Sequence, residues 1–449
     1  MKIHLLLATS CLCATHIMAQ DSLSAKRWDL KSCIDYALDK NIQIRMDKIS
    51  LEESSIDTKT AKADLFPSLS FSTSHNIINR PYMENSSIVD GSNVISTSNK
   101  TSYTGNYGLN ASWTLYNGSK RLNTLDQQKI NNRIAQLTVA NSENSIQESI
   151  TTTFIQILYA AESVKINENT VQVSEAQRDR GKELLNAGSI SQSDYAQLES
   201  QCSADKYQLV TSQATLHNYK LQLKQLLELN GEYEMQLALP GIDDADVLAP
   251  LPAIADIYQA ALALRPEIEA SRLNIETSQL DIDIARSGYL PTVNLSAGIG
   301  TNHTTGNDFT FAEQIKNGWN NSVGVTLSIP IFNNRQTKSA VQKAKLQRQN
   351  SELELQEQQK NLYQTIEGLW LDANNAQHNY AAASEKLRST QTSFNLVNEQ
   401  FNQGMKNTVE LLTEKNNLLS AQQEQLQAKY MAVLNIQMLR FYAGESIHL

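Results

Sequence analysis

The sequence predicts a mixed fold, with membrane β-barrel strands joined to long α-helical coiled-coil hairpins and the whole plan built twice in one chain. Three observations predict it. Landmark stretches recur in the same order roughly 220 residues apart. Four segments alternate apolar and polar residues, as strands with one greasy face do. Two stretches of about 68 residues carry no proline and one glycine each, and as helices each would run about 100 Å.

The chain opens with "MKIHLLLATSCLCATHIMAQ". Lys2, the apolar run from Ile3 to Ala14 and Ala19 at a cleavage position read as a secretory signal peptide over 1–19. The run is too short to span a bilayer well. Cys11 offers a lipobox reading, but Ala8 stands where a larger aliphatic is usual. The formal charge of the full chain is −9, and loss of Lys2 takes the mature chain to about −10. An exported acidic chain makes a poor nucleic-acid binder, and none is expected as partner. The mature cysteines, Cys33 and Cys202, form neither a disulfide framework nor a metal cluster. No later window is apolar enough for a transmembrane helix, which leaves β-strands open because their alternation is nearly silent in hydropathy.

The first repeat spans 20–229 and the second 254–449, with a linker at 230–253. Each opens with a helix: "CIDYALDKNIQI" (Cys33–Ile44) matches "IYQAALALRPEI" (Ile257–Ile268). Strands follow near 65–76, 104–116, 289–301 and 322–332, pairing over 65–116 and 289–332. In the second strand Tyr107, Leu109, Ala111, Trp113 and Leu115 hold alternate positions. In the fourth Val323, Val325, Leu327, Ile329 and Ile331 do so. Strands of roughly 9–11 residues suit a tilted bilayer crossing. The same alternation also suits a half-buried sheet in a soluble sandwich. Trp113, Tyr116, Trp319 and Phe332 lie near strand ends, where membrane aromatic belts sit. The stretches His75–Lys100 and Asn302–Asn320 read as long polar loops.

Long helices are expected over 119–186 and 335–403, with returning helices over 191–229 and 407–441. Leu362, Ile366, Leu369, Ala373, Ala376 and Tyr380 step by four and three, a heptad seam. The returning helix of the first repeat carries Tyr195, Leu198, Cys202 and Leu209 in the same rhythm, with Asp205 out of place among them. Cys202 therefore reads as a small packing residue. The turns are "NAGSIS" and "NQGMKN". Gly188 and Gly404 stand where a helix end wants a left-handed residue. Ser191 or Ser193, and Asn407 or Thr408, are placed to cap the next helix. Four strands cannot close a barrel, and open edges are not tolerated in lipid, so closure needs two, three or four chains.

An enzyme is not expected. The chain has no G-x-S-x-G, H-E-x-x-H, Walker or C-x-x-C pattern. The mature histidines, His75, His217, His303, His378 and His448, are dispersed. "AGIGTNHTTG" lacks the third glycine and following helix of a dinucleotide loop. No catalytic residue, cofactor or resident metal follows from these residues.

The tandem plan, "LFPSLSFS" and "YLPTVNLS" at the strand starts, "TLYNG" and "IPIFNNR" at the strand exits, and the paired glycine turns resemble TolC-type outer-membrane efflux proteins over 28–444. The resemblance implies a homotrimer sharing a twelve-stranded barrel in the outer membrane, continued by an α-helical barrel through the periplasm with 230–253 in its mid-barrel belt. It implies an exit channel for small molecules or peptides in the outer membrane of a Gram-negative bacterium. The implied partners are outer-membrane lipid, a periplasmic adaptor docking near Gly188 and Gly404, and an inner-membrane pump of RND or ABC type, pump and adaptor setting the cargo. It also implies a periplasmic gate. The gate tyrosine corresponds to Phe401, the gate arginine to Lys406, the two aperture aspartates to Glu410 and Thr413, and their counterparts on the neighbouring hairpin to Ser193 and Asp194. Phe401 has no hydroxyl, Lys406 lacks the planar fork of arginine, and Thr413 removes a carboxylate that adjacent Glu414 partly replaces. A ring of Glu410 carboxylates would favour cations and raise one another's pKa. Against this stands a plainer reading in which Glu410 and Asp194 only serve helix starts. The alternative function is an exported soluble coiled-coil scaffold or adhesin.

Overall fold

The computed structural model describes residues 27–82, 86–90, 93–97, 100–230, 235–306 and 309–447, so the signal-peptide and lipobox readings lie outside the described residues. The first repeat comprises β1 (Arg27–Trp28), α1 (Leu30–Lys40), α2 (Ile42–Ala63), β2 (Ser68–Asn79), β3 (Ser86–Asp90), β4 (Asn93–Thr97), β5 (Thr101–Asn117), α3 (Lys120–Asn186) and α4 (Gln192–Leu226). The connection holds β6 (Gln236–Leu237) and α5 (Asp244–Val247). The second repeat comprises α6 (Ile254–Leu264), α7 (Pro266–Ser287), β7 (Thr292–Thr304), α8 (Phe311–Asn317), β8 (Asn320–Ser328), α9 (Gln336–Asn402) and α10 (Thr408–Tyr442).

The two copies agree helix by helix. α1 and α6 have 11 residues each, α2 and α7 have 22, α3 and α9 have 67, and α4 and α10 have 35. Left-handed backbone recurs at matched places: Gly118 with Asn334, Ser119 with Arg335, Gly188 with Gly404, and Glu228 with Gly444. So the duplication extends to individual backbone angles at the strand exits and helix ends.

Several sequence-based boundaries shift, each for a local reason. The opening helix of each repeat is two helices. Asn41 breaks the first by capping α2, its Oδ1 accepting from the Gln43 and Ile44 N–H groups. Arg265 breaks the second, because Pro266 pushes the residue before it out of the helical region. The first strand begins at Ser68 rather than 65, since Leu65 and Phe66 still bond back to the end of α2. The fourth ends at Ser328, because Pro330 cannot donate to a ladder. Ile329 and Ile331 therefore fall outside it. The two polar loops hold structure of their own, the β3–β4 hairpin and α8.

β2, β5, β7 and β8 form one antiparallel sheet in that order. α3 packs on α4 and α9 on α10, α2 lies along α3, and α7 lies along both α3 and α9. Three apolar clusters hold the helices. One lies where β1 and β6 pair in parallel and joins Trp28, Ile150, Phe154, Ile157, Leu223, Tyr430 and Val433. A second joins Ile257, Ile268, Ile366 and Ile436. A third sits near the hairpin tips around Leu198, Phe394, Phe401, Leu411 and Leu418. Cys33 and Cys202 are buried. No described helix is long and apolar enough to cross a membrane.

Candidate functional site

The register of the four-stranded sheet sorts its residues into two unlike faces. Phe71 pairs with Leu109 and Leu109 with Ile299, while Trp113 pairs with Leu295 and Leu295 with Val325. This face is apolar and open: Leu69 is 69% exposed, Val323 78% and Val325 65%. The opposite face pairs Ser70 with Asn110, Asn110 with Gly298 and Gly298 with Ser322. From Ser68 to Asn76, Thr104 to Ser112, Asn294 to Asn302 and Asn320 to Thr326, it consists only of Ser, Thr, Asn and Gly. The Ser68 and Ser112 hydroxyls bond at 2.8 Å, and the Asn106 amide donates to Ser74 Oγ at 3.2 Å. An uncharged, hydroxyl- and amide-rich face suits bulk water, and the face behind it suits hydrocarbon.

A bulge between Thr114 and Tyr116 re-phases β5, so that Tyr116, not Leu115, pairs with Val293 on the apolar face. Leu115 thus leaves the alternation that the sequence suggested. Trp113 Nε1 donates to the Leu65 carbonyl at 2.8 Å. Trp113, Tyr116 and Phe332 lie at the helix-proximal end of the sheet, and Trp319 immediately precedes β8 at the loop end. Sequence reasoning missed a ring cluster there. His75, Tyr103, Tyr107 and His303 share the apolar face, with Phe311 of α8 against His303 at 4.9 Å. Gly105 sits between the two histidines, where a Cβ would collide with the His303 ring. Alternation put these residues on one face, but only the cross-strand register shows that they touch.

The hairpin tips repeat one construction. Gly188 (φ 73°) and Gly404 (φ 75°) are left-handed. Ser189 N–H closes back on the Leu184 carbonyl at 2.8 Å, and Met405 N–H on the Gln400 carbonyl at 2.8 Å, a Schellman closure in both copies. Ser191 and Asn407 then cap α4 and α10, each in a capping box completed by Asp194 or Glu410. Of the residues expected to cap, Ser193 and Thr408 are not used.

Lys406 Nζ donates to Glu410 Oε1 at 2.6 Å, one turn along its own chain. That bond and the Asn407 N–H hold the Glu410 carboxyl below its ordinary value, opposite in direction to what mutual repulsion would impose. Ser193 is exposed at the first tip, and Thr413 Oγ1 donates to the Val409 carbonyl at 2.8 Å. Phe401 is 2% exposed, packed with Leu198 and Leu411 beneath the second tip. Within one chain, Lys406 and Glu410 are brought into contact, and Phe401 serves as an internal anchor. Asp205, out of place in the seam, meets Lys415 and Ser174. Among the described residues no three His, Cys, Asp or Glu side chains gather as a metal site.

Comparison with known proteins bears on what such an arrangement does. The family model for outer membrane efflux proteins matches residues 33–228 and 257–445, one segment in each repeat. The outer membrane protein TolC of Escherichia coli is 22% identical over 308 residues, which cover 67% of this chain and 62% of that one. The chain thus spans less than two thirds of that relative. A crystal structure of CusC superposes with a TM-score of 0.79 at 19% identity, covering 93% of this chain and 92% of that one. The outer membrane protein VceC of Vibrio cholerae gives a TM-score of 0.78 at 15% identity, covering 93% and 97%.

Proposed function

The chain belongs to the outer membrane efflux protein family, and from that membership we propose that it is an exit channel carrying small molecules or peptides across the periplasm and outer membrane. One observation carries the reading. The sheet has an apolar face, an uncharged polar face, and two long edge strands, β2 and β8, each with a single neighbour among the described residues. Lipid does not accept such edges, because the backbone groups along them have no water to bond. Other copies of the chain supply the missing partners. Three copies give twelve strands, a closed wall with lipid outside and water within. The helices continue the bore into the periplasm, with 230–253 as its belt.

The tips of the two hairpins meet a periplasmic adaptor around Gly188 and Gly404, and the adaptor couples the channel to an inner-membrane pump of RND type, ABC type being the alternative. Asp194, Ser193, Lys406, Glu410 and Thr413 edge the aperture, and Phe401 braces it from inside the protomer. Trp113, Tyr116, Trp319 and Phe332 sit at the membrane boundaries. The family is one of channels rather than enzymes. A soluble scaffold or adhesin accounts for the hairpins but leaves the apolar sheet face uncovered in water, and so it is not favoured. The test is extraction. The mature protein should leave outer membranes only in detergent, as a trimer that conducts in planar bilayers. Release as a lone water-soluble chain overturns the reading.

A further inference from the structure

The contact between the two hairpins of one chain changes character along its length. Beside the β1–β6 pair it is apolar, with Phe154 and Ile157 in one cluster with Tyr430 and Val433. Farther along, a polar band interrupts it, before apolar packing resumes at the tips, where Leu198 meets Phe401 and Leu411. Gln423 Nε2 donates to Asn167 Oδ1 at 3.4 Å, Gln177 Nε2 to Asn398 Oδ1 at 3.2 Å, and Arg180 Nη2 to the Asn402 carbonyl at 3.3 Å. Within this polar stretch lies a charge pair almost wholly out of solvent. The Lys415 and Asp205 side chains are 4% and 5% exposed. Lys415 Nζ donates to both Asp205 Oδ2 and Ser174 Oγ, and Gln201 Nε2 donates to Asp205 Oδ1 at 2.9 Å. Three helices, α3, α4 and α10, thus meet on one buried ion pair.

A buried ion pair adds little net stability over apolar side chains of the same volume, because both ions must leave water. Its effect on geometry is sharper. If α10 slides or turns against α4, Lys415 loses its carboxylate in a dry place, and an unpaired buried charge costs far more than a shifted leucine. An apolar seam has several tolerable registers, whereas a seam with one buried pair has one. We propose that Asp205 and Lys415, with Ser174 and Gln201, form a register lock between the two hairpins of each protomer, and that they are positioning residues for the aperture. Lys415 lies about 10 Å along α10 from its start at Thr408, at 1.5 Å per residue. A register fixed there is passed rigidly to the tip. The consequence for gating rests on the channel reading, but the lock itself does not.

The test uses the full-length trimer. Asp205→Leu with Lys415→Met removes both charges and roughly keeps volume, and Asp205→Lys with Lys415→Asp restores a pair in reverse. Thermal midpoint, hydrogen–deuterium exchange over 184–195 and 401–411, and current in planar bilayers are measured for each. The apolar double variant should unfold at or above the wild-type temperature, yet exchange about tenfold faster at the tips and conduct several-fold more without an adaptor. The reversed pair should return both readouts toward wild type. An apolar double variant with wild-type tip exchange overturns the lock. Faster exchange with unchanged current overturns its role at the aperture. If no form of the protein conducts while tip exchange still responds as stated, the channel reading falls and the lock stands.

Discussion

Glu410 holds several bonds at one half-buried place. Its carboxylate accepts from Lys406 at 2.6 Å and from the Asn407 N–H at 3.2 Å, and its own N–H donates to Asn407 Oδ1 at 2.9 Å. These contacts hold its pKa below the ordinary 4.5, with the Lys406 bond the largest cause. The folded chain therefore binds this proton less readily than the unfolded chain. The stabilisation is complete above pH 4.5 and is lost as pH falls through the lower folded value. Thermal unfolding of wild type and Glu410→Gln should differ at neutral pH and converge in acid. In bilayers the same variant should conduct with weaker cation preference; unchanged selectivity takes Glu410 off the conduction path. Gly188 and Gly404 make a cleaner case, since an added Cβ would meet nothing within 4 Å at either. Gly404→Ala should therefore cost only the left-handed backbone, about 1 kcal/mol at each tip. These glycines were legible because only a left-handed residue suits that turn. Asp205 was legible only as an anomaly, because its partner lies on the other hairpin and no spacing rule links the two.

At the scale of elements, the long helices were readable because absence of proline and a sustained heptad leave few other conformations. Duplication made each copy a check on the other. What escaped notice was where local chemistry overrides pattern. Asn41 and Arg265 break helices whose apolar rhythm continues past them. The β5 bulge cannot be seen in a sequence whose alternation runs straight through it. The β3–β4 hairpin and α8 sit in stretches whose Asn, Ser and Thr content favours turns. Arg265 shows why such a break persists. It is 8% exposed, bonded to Glu148 at 2.7 Å and stacked on Tyr442 at 3.9 Å, so it ties the joint between α6 and α7 to α3 and α10. The hairpins themselves give a prediction. Ser193→Cys with Lys406→Cys should, on oxidation, link tips of neighbouring protomers, block export and recover on reduction. Cys33 and Cys202 are buried and should not compete. Export that continues through the oxidised protein removes these two residues from the aperture.

At the scale of the molecule, the assignment of inside and outside rests on sheet register, and adjacent positions can test it against each other. Val325 pairs with Leu295 on the apolar face, and Thr326 pairs with Asn294 on the polar one, both within β8. In a closed trimer Val325 meets hydrocarbon and Thr326 meets water. A lysine at the first position must then carry its charge into lipid near the boundary that Trp113 marks, at a cost of about 1 kcal/mol. A lysine at the second keeps its water and adds positive charge to the bore, three times over by symmetry. Val325→Lys should accordingly lower the yield of heat-resistant trimer in outer membranes. Thr326→Lys should assemble normally and shift ion preference toward anions in bilayers. Neighbouring residues share propensity and local backbone, so a difference between them reports the face and little else. Equal tolerance of both lysines would mean water on both sides of the sheet, as in a soluble scaffold, and greater damage from Thr326→Lys would turn the wall inside out.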